Sequence, residues 1–512
     1  MSNFDLVVKN GTIITMDNVL SKKRWIAVKD GLIAAAGDRD DFAGGAKEVI
    51  DLNGDTVMPG FVDAHVHGCL AGMSHYGINL LGINTVSGIL DTVREFCAKD
   101  PTDKVVYGFN MTMAKDMDDK RAPSRAELDA VTGHHPTMIL NWTIHGGIVN
   151  SKAVEYLQAA APEAARLVDE KGYFNEDDPI AHILNLFSDE DFENFFLRVS
   201  EDCASMGITT IHSLDGFWVK DDRDTDILLR MMHKLPIEIR PYTQTFNVKK
   251  IRDYGLKQIG GCLTVDGSPP QLTAAFSEPY HMAPHTRGFL HYTDQQLYEM
   301  VYNASKEGMQ VIFHAIGDRA IDQLIYIYQQ VDREIGIRDL RHRIEHFSYP
   351  SVRAQEMAAE MNIVAVCQPT LANFLDGPER NIIEFQLPRE KAIWQENFKL
   401  RMESGVTVAN GSDAPAASLK TLDALNACVN MHNPERRISL DDAMKLCTIN
   451  AAYAGHQEDR LGSLEVGKQA DFLVIDKDPY SLPAGSDLSK LVIKSTYKKG
   501  KKIFSRNKAE AC

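Results

Sequence analysis

Eight short apolar segments recur through the middle of this 512-residue chain, and each ends in a polar residue. Helical patterns separate them, which is typical of a parallel sheet with crossover helices. Eight such units are the number that closes a (β/α)8 TIM barrel, so we predict an α/β fold of that type. The segments are residues 61–67, 207–212, 237–243, 262–266, 310–314, 343–346, 363–368 and 406–413.

Two other apolar segments, 105–109 and 137–140, also have the character of strands. We assign them to an inserted α+β segment of about residues 70–190, which follows the first barrel strand. Connections of this length are usually functional additions rather than structureless loops.

Both ends of the chain are rich in short strands and turns. Near the N-terminus, Asn10-Gly11 and Asp30-Gly31 separate apolar runs, and such dipeptides predict hairpin turns. The C-terminal end has similar runs at 470–476, 491–493 and 502–504. We therefore predict a small β-sandwich domain built from residues 1–57 and 458–512, with the barrel at 58–457.

The net charge of −16 argues against a nucleic acid or an anionic membrane as partner, since no basic run exceeds the short segment 498–502. No apolar run approaches the roughly 18 residues of a membrane span, and the N-terminus lacks a signal-peptide pattern. The eight cysteines have no paired spacing and indicate reduced thiols. These features predict a cytoplasmic protein, and a homodimer is expected only because symmetric dimers are common.

The polar strand ends predict a metal site, because barrel enzymes carry their chemistry at the carboxyl ends of the strands. His65 and His67 are two residues apart in the first strand, so they point the same way. Taken alone, such a His-x-His pair is about as often one buried, hydrogen-bonded histidine and one solvated histidine as part of a metal site. Imidazoles and a carboxylate from several strand ends favour Zn²⁺, and less selectively Fe²⁺, Mn²⁺ or Ni²⁺. The other candidate groups are His212, Cys262 or Asp266, His314, His346 and Asp413.

Several motifs resemble those of the amidohydrolase superfamily, and in particular its third amidohydrolase family, which includes enzymes resembling N-substituted formamide deformylase. The resemblance extends over essentially the whole chain and implies a metal-dependent hydrolase with one or two divalent ions. The motifs are 59–67 (PGFVDAHVH), 314–320 (HAIGDRA), 343–346 (RIEH), 410–415 (NGSDAP) and 461–474 (LGSLEVGKQADFLV).

Cys262 departs from the family pattern. Members often carry a carboxylated lysine that bridges two metals, shortly before a segment like Asp266-Gly267-Ser268, and here Cys262 stands at that position. A thiolate is a good zinc ligand and can serve as the bridge. If Cys262 is instead a small buried apolar residue, the site would hold one metal.

The resemblance suggests a role for each group. His65 and His67 would bind the first metal, His314 and His346 the second, and Cys262 would bridge, with Asp413 nearby as a metal ligand and as the general base and acid. His145, His212 and Asp266 are candidate substrate-binding residues. Each has an alternative: His145 could fix a loop, His212 could orient other groups, and Asp266 could form a turn. Strand alternation points Glu345 away from His346, so Glu345 is predicted to be structural.

The resulting prediction is metal-dependent hydrolysis of a carbon–nitrogen bond, an amide or a formamide, in a small molecule that the sequence does not identify. Deamination of an amino-heterocycle by the same metal chemistry is the alternative within enzymes. A barrel that has lost its metals and acts as a scaffold is the alternative outside them.

Overall fold

The computed structural model describes residues 4–42, 44–99, 105–142, 144, 146–175, 178–216, 219–375 and 397–506. The strands within these ranges are β1 (Phe4–Ile14), β2 (Lys22–Lys29), β3 (Leu32–Gly37), β4 (Ala46–Asp51), β5 (Thr56–Pro59), β6 (Phe61–Val66), β7 (Ile78–Asn79), β8 (Val106–Met111), β9 (Thr137–Asn141), β10 (Gly147–Val149), β11 (Tyr173–Phe174), β12 (Ile208–Ser213), β13 (Glu238–Pro241), β14 (Gln258–Ile259), β15 (Gln310–Ala315), β16 (Arg343–His346), β17 (Val364–Cys367), β18 (Thr407–Asn410), β19 (Phe472–Ile475), β20 (Ile493–Lys498) and β21 (Lys501–Ser505).

The α-helices of the same ranges are Gly68–Met73, Val86–Lys99, Arg125–Thr132, Ser151–Ala160, Pro162–Ala165, Asp178–Leu184, Asp189–Ser205, Arg223–Met231, Val248–Asp253, Asp294–Lys306, Asp318–Ile335, Val352–Glu360, Pro369–Leu375, Phe398–Glu403, Thr421–Asn430, Leu440–Leu446 and Ile449–Ala454. Short 3₁₀ helices span Ser74–Tyr76, Lys220–Asp222, Met232–Lys234, Pro269–Gln271, Arg338–Leu340, Pro434–Arg436, Pro479–Ser481 and Leu488–Lys490. None of the described helices is both long enough and apolar enough to cross a bilayer.

Strands from both chain ends form one mixed eight-stranded sheet. Its order is β21-β20-β19-β5-β1-β2-β3, and β4 pairs with β1. The C-terminal strand β19 lies antiparallel to β5, which joins the two ends of the chain directly. Both ends therefore share a sheet, as predicted, whereas its closure into a sandwich and the boundaries 1–57 and 458–512 stay predictions.

The two predicted N-terminal turns differ in outcome. Asp30 and Gly31 both have positive φ (51° and 79°) and join β2 to β3 as a tight hairpin, as expected. The hairpin predicted at Asn10-Gly11 is wrong, because β1 runs through these residues with an irregular register between Lys9 and Ile13. Asn10 still has a positive φ of 62°, which fits a bulge rather than a turn.

Eight parallel strands form the middle of the molecule in two hydrogen-bonded arcs. One arc has the order β13-β12-β6 and the other β14-β15-β16-β17-β18. A parallel bridge between Val66 and Ala414 connects the end of the last strand to the first. Between β13 and β14 the described residues form no strand ladder, although the Gly260 N–H donates to the Thr245 carbonyl at 3.0 Å. The ladders alone do not show a closed barrel.

The predicted position of the fourth strand, 262–266, is wrong. The structure places the strand earlier, at Gln258–Ile259, and Gly260 and Gly261 (φ 102° and 58°) then turn the chain. Such backbone is open to glycine and strained for most other residues. Cys262 therefore follows the strand end instead of opening the strand, while Thr264 makes an isolated bridge to His314.

The crossover helices bury one face against these strands. In Asp318–Ile335 the buried positions Ile321, Leu324, Tyr328 and Val331 recur at helical spacing. The following strand β16 is buried throughout. The buried apolar side chains form a core large enough to hold polar groups in fixed positions at the strand ends.

The inserted segment forms a separate five-stranded sheet of order β11-β10-β9-β8-β7. It includes β8 and β9, which correspond to the segments 105–109 and 137–140 that we assigned to the insertion. Trp142 directly follows β9, and Asn110 is the last but one residue of β8.

Candidate metal centre

The first barrel strand places two imidazoles beside a carboxylate oxygen of Asp413, which follows the last barrel strand. The Nε2 atoms of His65 and His67 each lie 3.2 Å from Asp413 Oδ1. The two imidazole rings are 5.4 Å apart between centroids, as expected for histidines on the same side of a strand. Backbone contacts hold the strands in register, since the Asp413 N–H donates to the His65 carbonyl at 2.8 Å.

Cys262 lies near both pairs of histidines, His65 with His67 and His314 with His346. Its Sγ is 3.9 Å from His314 Nδ1 and 3.9 Å from His346 Nε2. Three overlapping groups have ligand atoms within 4.8 Å of one another: His65, His67 and Cys262; Cys262, His314 and His346; and His65, His346 and Asp413. The structure thus brings together all six predicted ligands, which we call the ligand cluster.

Two members of the ligand cluster have unusual backbone conformations. His346 has φ 68° and Asp413 has φ 59°, in the left-handed region that non-glycine residues rarely occupy. Strain of this kind concentrates at functional sites. Gly411, two residues before Asp413, permits the close approach of the strands, because a Cβ there would lie 2.3 Å from the His65 Cβ.

Hydrogen bonds on the far side of each ring fix the orientation of three imidazoles. His65 Nδ1 lies 2.5 Å from Glu345 Oε2, His67 Nδ1 lies 3.1 Å from the Leu214 carbonyl, and His346 Nδ1 lies 2.8 Å from Gln368 Oε1. Acceptors at Nδ1 require the proton there and leave Nε2 as the ligand atom. This arrangement is usual for metal-binding histidines.

The electrostatics of the cluster favour added positive charge. Burial opposes ionisation of Cys262, but the imidazoles of His65, His314 and His346 outweigh it and hold the pKa of the thiol well below its usual range. Burial likewise opposes the charged form of His67, yet hydrogen bonding to Asp413 and Cys262 raises the pKa of His67 to about 9. Anionic groups beside the imidazoles thus stabilise positive charge at the cluster, which protons or a metal ion can carry.

A divalent metal fits these residues. Nε2 of His65 is buried without a well-aligned hydrogen bond among the described residues, although the Asp413 carboxylate is close. A buried polar atom in this condition is costly unless another partner occupies the site. The donor set of imidazole, thiolate and carboxylate is the one used for Zn²⁺ and related ions.

The structure places the three predicted substrate-binding residues differently. His145 lies outside the described residues. His212 is fully buried, with Nδ1 at 3.1 Å from an Arg343 guanidinium nitrogen and Nε2 at 3.0 Å from Gln457 Oε1. Because both ring nitrogens have protein partners, the position favours the alternative role of orienting other groups.

Asp266 is also fully buried. Its carboxylate accepts three backbone N–H groups, from Ala275, Ile316 and Gly317, at 2.7 to 3.0 Å. Burial raises the pKa of Asp266 to about 7, and these three donors act in the opposite direction. His314 Nε2 is 3.8 Å from its Oδ1. The carboxylate therefore organises the loops around His314, which favours a structural role.

Glu345 is predicted from the sequence to be structural, and its contact with the ligand cluster is the feature that the sequence does not predict. It contacts a cluster member directly, and its carboxylate also pairs with Arg343 through two contacts of 2.9 Å. Arg343 and Glu345 are two apart in a buried strand, so opposite charges on one face gave a usable signal for an inward ion pair.

A cleft lies beside the Asp413 loop. It has a volume of about 730 Å³ and is lined by residues from the inserted segment, the segment after β17 and the segment after β18. Trp142, Phe374 and Pro415 are among them.

The chain is similar to known proteins over nearly its whole length. Protein LONG AFTER FAR-RED 3 of Arabidopsis thaliana is 26% identical to the chain, over 98% of the chain and 91% of that protein. N-substituted formamide deformylase of Arthrobacter pascens is 25% identical, over 98% of each. The crystal structure of an uncharacterized metal-dependent hydrolase from Pyrococcus horikoshii OT3 superposes with a TM-score of 0.78 at 23% identity, over 94% of this chain and 99% of that one.

The structural likeness shows a TIM-barrel-type α/β fold, which confirms the predicted fold class of the middle of the chain. A family model described as amidohydrolase family matches residues 48–504. That match confirms the family predicted from the motifs. Membership of this family of metal-dependent hydrolases supports a divalent metal as the cofactor. The chain belongs to the amidohydrolase family and is a metal-dependent hydrolase acting on carbon–nitrogen bonds.

Proposed function

We propose that this enzyme hydrolyses the carbon–nitrogen bond of a small-molecule amide of the formamide type. The observation that carries the proposal is the ligand cluster, in which Cys262 belongs to two groups of ligand atoms and Asp413 Oδ1 lies 3.2 Å from both His65 and His67. The relative named N-substituted formamide deformylase, aligned over 98% of this chain, supports the choice of amide.

The residues of the cluster would hold two divalent ions, with Cys262 available to both. His65 and His67 would hold the first ion and His314 and His346 the second, with Cys262 as bridge and Asp413 beside the first. A thiolate combined with imidazoles favours Zn²⁺ over harder ions. Two ions per chain are therefore the expected content.

The bound cations supply Lewis acidity, which lowers the pKa of water and polarises a carbonyl group. Asp413 orients the attacking water and accepts its proton as the water oxygen bonds to the carbonyl carbon. The same carboxyl then donates that proton to the amine nitrogen as the carbon–nitrogen bond breaks. The products are a carboxylic acid, formic acid for a formamide, and an amine.

The test is Asp413→Asn. The amide cannot accept the proton, so we expect kcat for formate release to fall by about 10²- to 10⁴-fold, with metal content close to that of the wild type by mass spectrometry. Asp253→Asn changes an exposed carboxylate elsewhere and serves as the matched control.

Three results would count against the proposal. Near-normal kcat in Asp413→Asn would remove the assigned role of that residue. Release of ammonia from amino-heterocycles, without cleavage of amides, would support deamination instead. Well under one equivalent of metal, not restored by reloading, would support the scaffold.

A further inference from the structure

We propose that the cleft beside Asp413 binds a neutral, apolar and preferably aromatic substituent of the substrate and selects against a carboxylate there. The inference rests on the proposed function, because it names the class of amide that the ligand cluster would cleave. It concerns residues outside the cluster.

The cleft is lined by segments that adjoin the ligand cluster along the chain. Its lining comes from segments that follow the first, seventh and eighth barrel strands, and Pro415 to Ser418 come directly after Asp413 and Ala414. The bridge from Ala414 to Val66 places this segment next to His67. Loops at the carboxyl ends of barrel strands form the substrate pocket in this type of fold.

The size and lining of the cleft fit an apolar group. Its volume of about 730 Å³ lies within the range of roughly 300–1,000 Å³ that is typical of small-molecule sites. Trp142 and Phe374 meet edge to face, with ring centroids 6.4 Å apart. Leu81 is 70% exposed and Phe374 is 44% exposed, and large apolar side chains grouped at a concave surface indicate a binding site.

The charge of the lining selects among substituents. Of the described residues that line the cleft, Asp116 is the one with an ionisable side chain, and none is Lys, Arg or His. Asn84, Asn110 and Thr112 add neutral polar groups. A substrate carboxylate placed here would lose hydration, would find no cationic partner among the described lining residues, and would be repelled by Asp116.

A matched series of formamides tests the preference on the metal-loaded enzyme. The members are N-methylformamide, N-(2-phenylethyl)formamide and N-(2-carboxyethyl)formamide, and formate release gives kcat/KM. We expect the phenylethyl compound to exceed the methyl compound by about 10- to 100-fold. The carboxyethyl compound should not exceed the methyl compound.

Substitutions assign the preference to the cleft. Trp142→Ala should lower the phenylethyl-to-methyl ratio by about 10-fold, and Asp116→Lys should raise the carboxyethyl-to-phenylethyl ratio by about 10-fold. Tyr326→Ala, which removes a half-exposed ring from a different surface groove, should leave both ratios unchanged. Calorimetry with metal-free protein gives a readout without turnover: Trp142→Ala should weaken binding of the phenylethyl compound by about 10-fold.

The outcomes separate the two proposals. If no formamide is cleaved but metal-free binding depends on Trp142, the cleft assignment stands and the proposed reaction fails. If formamides are cleaved with no aromatic preference, or with ratios that Trp142→Ala does not change, the cleft assignment is overturned. A preference for the carboxyethyl compound overturns the charge selection.

Discussion

Two groups of buried polar side chains meet in strand β16 and differ in the source of their positive charge. The first, which we call the Arg343 network, contains Arg343, Glu345, His212 and Gln457. Its donors match its acceptors: Arg343 pairs with Glu345 at 2.9 Å and also donates to the Ala64 carbonyl at 2.7 Å. The second is the ligand cluster, whose sulfur, nitrogen and oxygen ligand atoms face one another.

The difference shows what each group requires. The Arg343 network contains a permanent cation, the Arg343 guanidinium, and protein groups balance its charge and accept its hydrogen bonds. The ligand cluster has a thiol and a carboxyl group with pKa values held low, and in the metal-free protein protons on the imidazoles balance these charges, since the pKa of His67 is raised to about 9. A divalent metal ion would replace those protons as the cation. Glu345 belongs to the network and also accepts from His65, so it joins the two.

The largest expected effect comes from removing the shared ligand. We predict that Cys262→Ala binds one metal equivalent where the wild type binds two, because Cys262 is in two of the three ligand groups. Loss of a whole ion exceeds any single hydrogen bond, since zinc sites contribute on the order of 10 kcal/mol. Metal analysis after dialysis gives the stoichiometry.

Cys203→Ala is the matched control for that loss. Cys203 is fully buried in the helix Asp189–Ser205, and burial raises the pKa of its thiol, so it behaves as an apolar residue. It should retain the full metal content. Equal stoichiometry in both variants would show that Cys262 is only a packing residue.

The second prediction breaks the Arg343 network. Arg343→Met leaves Glu345 buried without its cation, and we expect the metal-free protein to lose on the order of 3–5 kcal/mol of unfolding free energy in urea. The double variant Arg343→Met/Glu345→Met removes both charges and should recover part of the loss. If the double variant is no more stable, the ion pair is not the cause.

The sequence predicted that the side chains of the ligand cluster lie together, because the signals for this are positional. His65, His67, His314, His346 and Asp413 all stand at strand ends, and parallel strands bring such ends to one edge. Cys262 was found through the family pattern, although its strand was misplaced by several residues. Two glycines after β14 carry Cys262 to the cluster, and neither has a side-chain signal that would reveal the shift.

Other features depend on contacts that local patterns do not contain. Asn10-Gly11 has the composition of a hairpin, but Asn10 donates to Asp51, forty-one residues away, and β1 continues. Glu345 was judged against its neighbour His346, whereas its contacts are to Arg343 and to His65 on another strand. The cleft combines three loops and has no linear signature.

The third prediction concerns the residue that joins the two regions. Glu345→Gln removes the charge that accepts from His65 Nδ1, so we expect metal affinity to fall about 10- to 100-fold, or roughly 1.4–2.7 kcal/mol. Competition with a chromophoric chelator measures this. Glu334→Gln, at an exposed helix position, is the control. Unchanged affinity in Glu345→Gln would mean that His65 is oriented without it.

The last prediction separates His342, whose two ring nitrogens both have protein partners, from the histidines of the ligand cluster. His342, just before β16, is fully buried, with Nδ1 accepting the Val311 N–H at 3.0 Å and Nε2 at 2.8 Å from Ser305 Oγ. Burial lowers the pKa of His342 to about 3. The folded protein therefore resists a proton that the unfolded chain binds below about pH 6.5.

The sign of the pH dependence follows from that difference. The stability contributed by neutral His342 is complete above pH 6.5 and declines as the pH falls toward 3, by about 1.4 kcal/mol per pH unit. In metal-free protein, urea midpoints at pH 6.5, 5.5 and 4.5 should fall less steeply for His342→Gln than for the wild type. His233→Gln, an exposed control, should keep the wild-type slope. The pKa of His67 in the ligand cluster is raised, so its contribution to stability declines as the pH rises instead. An equal slope in the wild type and in His342→Gln would refute this prediction.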